Sequence, residues 1–466
     1  MTKARMEMWS NDECRRAHEA TLAVLADPGV EVQNTRAREL LSGAGAEVTG
    51  SRVTIPGELV AQALASSPKT FDVKSRGGHE PLAMSQGNTY FGTGGDCLYT
   101  RDLDSGKRRR ARLADVEGLA SLSERLQSID FVMSMGLPED VSEPGAELAV
   151  FAALLRGTRK PLIVDPVCES ETLRVLRRMA DLAGEPDSFA IYAMSSPPLM
   201  HSDGALGRLM GCAELRIPVV YSAAACPGFS APASRTATAV NNNAEVLSGL
   251  VIHQLAQPGT PFIYGALAPA MSMRTSNFVY VAPDSMAMQQ AMCDLGRFYE
   301  LPTFTLGGCS DSKTLDGQWA AETAVSVALA GLTGCTLVHD LGYLESGLQG
   351  SHESVLFADE LVGYFRAYAD GAPLDDLEAA VEEIRASGPG GDHLRRPYTR
   401  KHFRSFWQPS LLDQWVHDHW QAEGEKHLLE RLTARAIELR SEPPTFELDP
   451  SVRDGLNNIV SGAVLA

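Results

Sequence analysis

The sequence predicts an α/β fold, a TIM (β/α)8 barrel with an N-terminal cap and a C-terminal helical extension, and three observations predict it. Short apolar, β-branched or aromatic runs recur eight times from about residue 88 onward. Segments of helical periodicity separate them, and the residues that follow each run are unusually polar and Gly-rich. Strands alternating with helices in this rhythm indicate parallel βα units, and eight such units indicate a closed barrel, with an open doubly wound sheet as the structural competitor.

Residues 1–85 precede the barrel as a helical cap. Residues 12–25 carry apolar side chains at helical spacing until Pro28-Gly29 breaks the pattern, and residues 36–43 fit a second helix. Arg52-Val-Thr-Ile-Pro reads as a strand leading to a helix over 58–65. The barrel spans 86–370. Its runs are Thr89-Tyr-Phe-Gly, Phe131-Val-Met-Ser-Met, Pro161-Leu-Ile-Val-Asp, Phe189-Ala-Ile-Tyr-Ala, Pro218-Val-Val-Tyr-Ser, Pro261-Phe-Ile-Tyr-Gly, Thr303-Phe-Thr-Leu-Gly and Thr336-Leu-Val-His-Asp. In residues 371–466 the strand signal stops, and helices are expected over 375–385 and 411–440.

With 466 residues, 44% of them hydrophobic, the chain can bury a large core, and no compositional bias marks extended disorder. A formal charge of −18 argues against a nucleic-acid partner, and the one dense basic run, 107–110, follows the turn sequence Asp104-Ser105-Gly106 and reads as a solvated hairpin. No apolar run approaches a signal peptide or a membrane span, so the expected setting is the cytoplasm, with no membrane partner. Eight cysteines without a C-x-x-C pair indicate reduced thiols, not a zinc or disulfide framework. No metal site is expected. Assembly into a homo-oligomer stays open.

In such a barrel the active site lies at the carboxyl ends of the strands. The first run leads into Gly92-Thr-Gly-Gly-Asp96-Cys-Leu-Tyr99, the third ends in Asp165-Pro-Val, and the fourth precedes Ser195-Ser-Pro-Pro-Leu-Met-His. Ala225-Cys-Pro-Gly follows the fifth, a loop reaching Arg274 the sixth, Gly307-Gly-Cys-Ser-Asp-Ser-Lys313 the seventh, and His339-Asp-Leu-Gly-Tyr343 ends the eighth. Several of these have structural readings. Gly92-Thr-Gly-Gly can be a tight turn, His339 a satisfied core histidine, and Gly307-Gly308 a phosphate-binding backbone of the kind barrels place after strand seven. There is no P-loop, no H-E-x-x-H and no marked nucleophile.

In order and spacing these segments resemble the trimethylamine methyltransferase family. The strings that carry the resemblance are Gly29-Val-Glu-Val, Arg52-Val-Thr-Ile-Pro, Phe91-Gly-Thr-Gly-Gly-Asp, Asn243-Ala-Glu-Val-Leu-Ser-Gly, Gly307-Gly-Cys-Ser-Asp-Ser-Lys with Asp316 and Gln318, and His339-Asp-Leu-Gly-Tyr-Leu-Glu-Ser-Gly. The likeness continues through Gly388-Pro-Gly-Gly to the region of Trp407. The family's founding enzymes carry pyrrolysine, whereas this chain uses only the twenty standard residues. The resemblance therefore implies the branch that demethylates quaternary amines such as glycine betaine, with a cobalamin-type corrinoid as methyl acceptor. The sequence holds no Asp-x-His-x-x-Gly segment of the kind that ligates cobalt in the family's corrinoid partners, so that cofactor is expected on a separate corrinoid protein, and none tightly bound here.

Such a reaction asks for a cage around a small methylated amine more than for an acid or base. Aromatic faces hold a methylated ammonium at ~0.5–2 kcal/mol per contact. Tyr99, Tyr343 and Phe91 are the candidate aromatics, with Asp96 and Glu245 as charge partners. Arg274, Lys313 and His339 are the candidates to receive a substrate carboxylate. Two readings compete: a lyase or aldolase acting on a phosphorylated substrate, with Lys313 forming a Schiff base, and a non-catalytic binding protein for quaternary amines.

Overall fold

A computed structural model describes residues 5–141, 145–166, 170–372, 374 and 376–464. Seven of the eight runs form one parallel sheet: Tyr90–Thr93, Leu162–Val164, Phe189–Met194, Val219–Ser222, Phe262–Gly265, Thr303–Leu306 and Leu337–Leu341. The last of these pairs with the first. The remaining run, Phe131-Val132, joins the first strand to the third through single parallel bridges, Gly92 to Phe131 and Val132 to Leu162, and so closes the barrel. It makes no longer ladder because a side chain takes over: Thr93 Oγ1 accepts from Met133 N at 2.8 Å and donates to Met133 O at 3.0 Å. Met135 then turns away with φ 53°.

The strands are largely apolar because helices cover the sheet outside and side chains fill it inside. Leu162, Ile163, Val219, Val220, Phe262 and Ile263 are all fully buried. One close approach shapes the wall between the fifth and sixth strands. A Cβ on Gly265 would lie 1.9 Å from Ser222 Oγ and 2.5 Å from Ser222 Cα.

The amino-terminal helices are Asn11–Ala26, Thr35–Gly43 and Gly57–Ser66. The first starts with a reciprocal capping box between Ser10 and Glu13. Between them, Val30–Val32, Arg52–Thr54 and Glu47–Thr49 form a small sheet that adds Met200–His201, from the loop after the fourth barrel strand. The basic run does form a hairpin, Tyr99–Arg101 against Arg108–Arg110. Through Gln349–Gly350 and Tyr343–Leu344 this hairpin stands over the mouth beside the first and last strands.

Beyond the barrel lie helices Leu377–Ser387, Pro397–His402, His417–Ala422, Leu428–Ser441 and Pro450–Val464. The single helix expected over 411–440 is thus broken. The Glu360 carboxylate accepts the backbone N–H groups of Ser410, Leu411 and Leu412 at 2.9–3.1 Å, which ties that segment to helix His352–Ala369. Among the described residues no helix is long and apolar enough to cross a membrane.

Candidate active site

Three rings fill the top of the barrel lumen. Tyr192 of the fourth strand meets Phe304 of the seventh with centroids 5.2 Å apart, and strands four and seven are not neighbours, so both rings point inward. His339 on the eighth strand lies flat on Phe304, at 3.9 Å and 13°. Because His339 is level with Leu306, it sits two residues nearer the mouth than Phe304 and forms the floor of the opening.

Three carboxylates surround that floor. Asp96 follows the first strand, Asp165 the third, and Asp340 lies within the last with φ 73°, a backbone region that costs a non-glycine residue energy. Tyr343 closes one side. Its hydroxyl is 3.5 Å from Asp96 Oδ1, and its ring sits so close to Gly94 that a Cβ there would lie 2.2 Å from it. Beside Tyr343, against the same face of Gly347, stands Tyr280, which follows the hairpin after the sixth strand. Asp311 pins that hairpin by accepting from Tyr280 N at 2.9 Å, Val281 N at 3.1 Å and Ser346 Oγ at 2.7 Å.

The electrostatics follow from this crowding. Burial pushes the Asp165 carboxyl up to about 7, with the like charge of Asp96 adding and Arg208 opposing. Protein packed around Asp165 and Asp96 desolvates their carboxyls even though both residues keep exposed surface. Burial also lifts Asp96, and Asp340 adds to that rise. Burial drives the phenols of Tyr192, Tyr280 and Tyr343 well above their ordinary value, with Asp340 and Asp96 adding at each and Cys97 ahead of them at Tyr343, so they stay neutral. Neutral aromatic faces and clustered carboxylates are the kinds of group that attract a small cation. Among the described residues no group of three His, Cys, Asp or Glu side chains could hold a metal ion.

The other candidates lie elsewhere. Glu245 is fully buried on helix Arg235–Ala256, where it accepts from Ser195 Oγ at 2.5 Å, Leu199 N at 2.8 Å and Asn241 Nδ2 at 2.8 Å. Burial pushes its carboxyl up to about 7, and it holds the loop after the fourth strand in place. Glu245→Ala strands those donors and is expected to destabilise the chain by about 2–4 kcal/mol in denaturant unfolding. An unchanged midpoint would remove this role. The Tyr99 ring already carries two cations, with the guanidinium carbons of Arg108 and Arg110 at 3.3 and 4.6 Å from its centroid. Phe91 is core, edge-on to Phe365. Arg274 is exposed on the hairpin after the sixth strand, and Lys313 is exposed with its Nζ donating to Asp311 O at 2.8 Å.

The phosphate reading meets an obstacle in Gly307-Gly308. Gly307 N donates to His339 O at 2.9 Å and Gly308 N to Ser326 Oγ at 3.0 Å, so neither amide is free to cradle an anion. Sequence reasoning left Tyr192, Tyr280, Asp165 and Asp340 out of the site, although Asp165 and Asp340 stand in strand-end strings that it singled out.

Fold and mouth together define a (β/α)8-barrel enzyme. The chain is 29% identical to a glycine betaine methyltransferase of Desulfitobacterium hafniense (strain Y51), over 95% of this chain and 94% of that one. It is 28% identical to the trimethylamine methyltransferase MttB of Methanosarcina thermophila, over 91% and 90%. The profile of the family described as trimethylamine methyltransferase (MTTB) matches residues 1–462, and the chain belongs to that family. It is a methyltransferase. The crystal structure of the Methanosarcina barkeri monomethylamine methyltransferase (MtmB) shares the fold, with a TM-score of 0.53 over 94% of this chain and 90% of that one at 11% identity.

Proposed function

We propose that this methyltransferase takes a methyl group from a small quaternary amine, glycine betaine or a near analogue, and passes it to the Co(I) corrinoid of a partner protein in the cytoplasm. The observation that carries the reading is the mouth, where Asp96, Asp165 and Asp340 gather around the rings of Tyr192, Tyr280 and Tyr343. A quaternary nitrogen has no proton to donate, so it is held by charge and by aromatic faces. Its leaving group is already a neutral amine, so no general acid is required.

The chain's own groups do not fit as ligands of a corrinoid. The thiols of Cys97 and Cys309 are fully buried and pushed well above their ordinary value by that burial. The acceptor is accordingly proposed to arrive on another protein. When it docks, the corrinoid supplies a strong nucleophile. This chain's contribution is to bind the ammonium, orient one methyl group toward the opening, and exclude water with the tyrosine wall. The amino-terminal helices Asn11–Ala26, Thr35–Gly43 and Gly57–Ser66 and the carboxy-terminal helices from Leu377–Ser387 to Pro450–Val464 are the proposed surfaces for that partner.

The test is incubation with free Co(I)-cobalamin and a panel of methylated amines. Loss of the Co(I) absorbance, with the demethylated amine identified by mass spectrometry, is the expected result with glycine betaine or a close analogue. No change with any member of the panel would sink the reading.

A further inference from the structure

His339 is buried, with 5% of its surface exposed, yet neither ring nitrogen has a hydrogen-bond partner. Nδ1 comes within 2.6 Å of Asp340 Oδ1 but is not in hydrogen-bonding alignment with it. A buried polar atom left unpaired is costly, and native proteins keep one chiefly where something else completes it. Here the ring is fixed in place: Phe304 covers one face at 3.9 Å, and Tyr192 stands at 6.1 Å. The imidazole is therefore fixed at the floor of the mouth with both nitrogens buried and unpaired, beside the Asp340 carboxylate.

We infer that His339 is the residue that reads the carboxylate of a zwitterionic substrate, donating an N–H to it while Asp96, Asp165 and Asp340 hold the ammonium end. The inference rests on the quaternary-amine reading above and narrows it to betaines, in which one or a few carbons separate the two charges. In glycine betaine a single methylene does so, and such a ligand requires a donor within a few ångströms of the groups that hold its cation. His339 meets that requirement because its Nδ1 lies against Asp340. Arg274 stands exposed on the hairpin after the sixth strand, and Lys313 already donates to Asp311 O at 2.8 Å. Because Nδ1 faces the Asp340 carboxylate, Nε2 is the nitrogen left to donate to the substrate.

The experiment is calorimetric binding of glycine betaine, choline and tetramethylammonium, with no corrinoid present. The wild-type protein is expected to bind glycine betaine more tightly than either cation. His339→Phe, which keeps the stacked ring and removes both nitrogens, is expected to lose glycine betaine affinity by about ten- to hundredfold while tetramethylammonium affinity stays within about twofold. His339→Gln, which restores a donor, is expected to recover part of the loss. Retained tetramethylammonium binding reports an intact pocket. Equal wild-type affinity for glycine betaine and tetramethylammonium, a comparison that needs no variant, overturns the inference. So does a His339→Phe protein that keeps its preference for glycine betaine or weakens for all three ligands alike. If the wild type binds none of the three, the quaternary-amine reading itself fails.

Discussion

Affinity for tetramethylammonium is expected to rise about tenfold from about pH 6 to about pH 8 in the wild-type protein and to stay nearly level in Asp165→Asn. The cause is the Asp165 carboxyl, which burial and the neighbouring charge of Asp96 hold near 7, so the mouth gains a full negative charge across that interval. A bound cation favours the ionised form, so binding near neutral pH also releases a proton, which calorimetry in buffers of different ionisation enthalpy detects. Stability moves the other way. Folding raises this carboxyl from its ordinary 3.8, so its contribution to stability is complete at low pH and is lost as pH climbs toward 7. Asp165→Asn removes that loss. The stability effect is modest because the side chain is partly open to water. A wild-type affinity that is flat with pH would show that Asp165 does not face the ligand.

Gly265→Ala is expected to cost more than about 3 kcal/mol and to leave little folded protein. The added carbon would fall 1.9 Å from Ser222 Oγ and 2.5 Å from the Ser222 backbone, in the middle of the barrel wall. The hydroxyl could rotate away. The Cα cannot move without parting the fifth and sixth strands, which are bonded in register from Val219 and Phe262 to Ser222 and Gly265. Urea unfolding of the purified variant, or its yield in the soluble fraction, measures the effect. A variant with a wild-type midpoint would show that the two strands stand farther apart.

Most of the barrel was legible because strands buried on both faces read as short continuous apolar runs, and seven such runs became strands. The run at Phe131 was legible as an apolar segment but not as a two-bridge closure, since nothing in its composition shows that Thr93 would bond Met133 with its side chain. Within the site, His339 and Asp96 stood out because polar residues at strand ends have few structural uses. Tyr192 did not, since an aromatic inside a strand looks the same whether its ring meets the core or the lumen. Tyr280 was hidden just past a hairpin whose path depends on Asp311, far along the chain. Glu245 and Tyr99 are the reverse case. Each lies in a promising string, but the first belongs to a helix buried on nearly every side and the second to a hairpin whose own arginines cover its ring.

The three aspartates at the mouth treat the two ends of a turnover differently. In the proposed reaction a quaternary ammonium is charged at every pH, so the carboxylates would hold it from the outset, but the amine it becomes is born neutral as the carbon–nitrogen bond breaks. The attraction thus fades along the reaction coordinate, and it favours the starting complex over the crossing point. Such a pocket gains capture of a dilute cation and quick departure of the amine, while acceleration is left to alignment by the tyrosine wall and the incoming nucleophile.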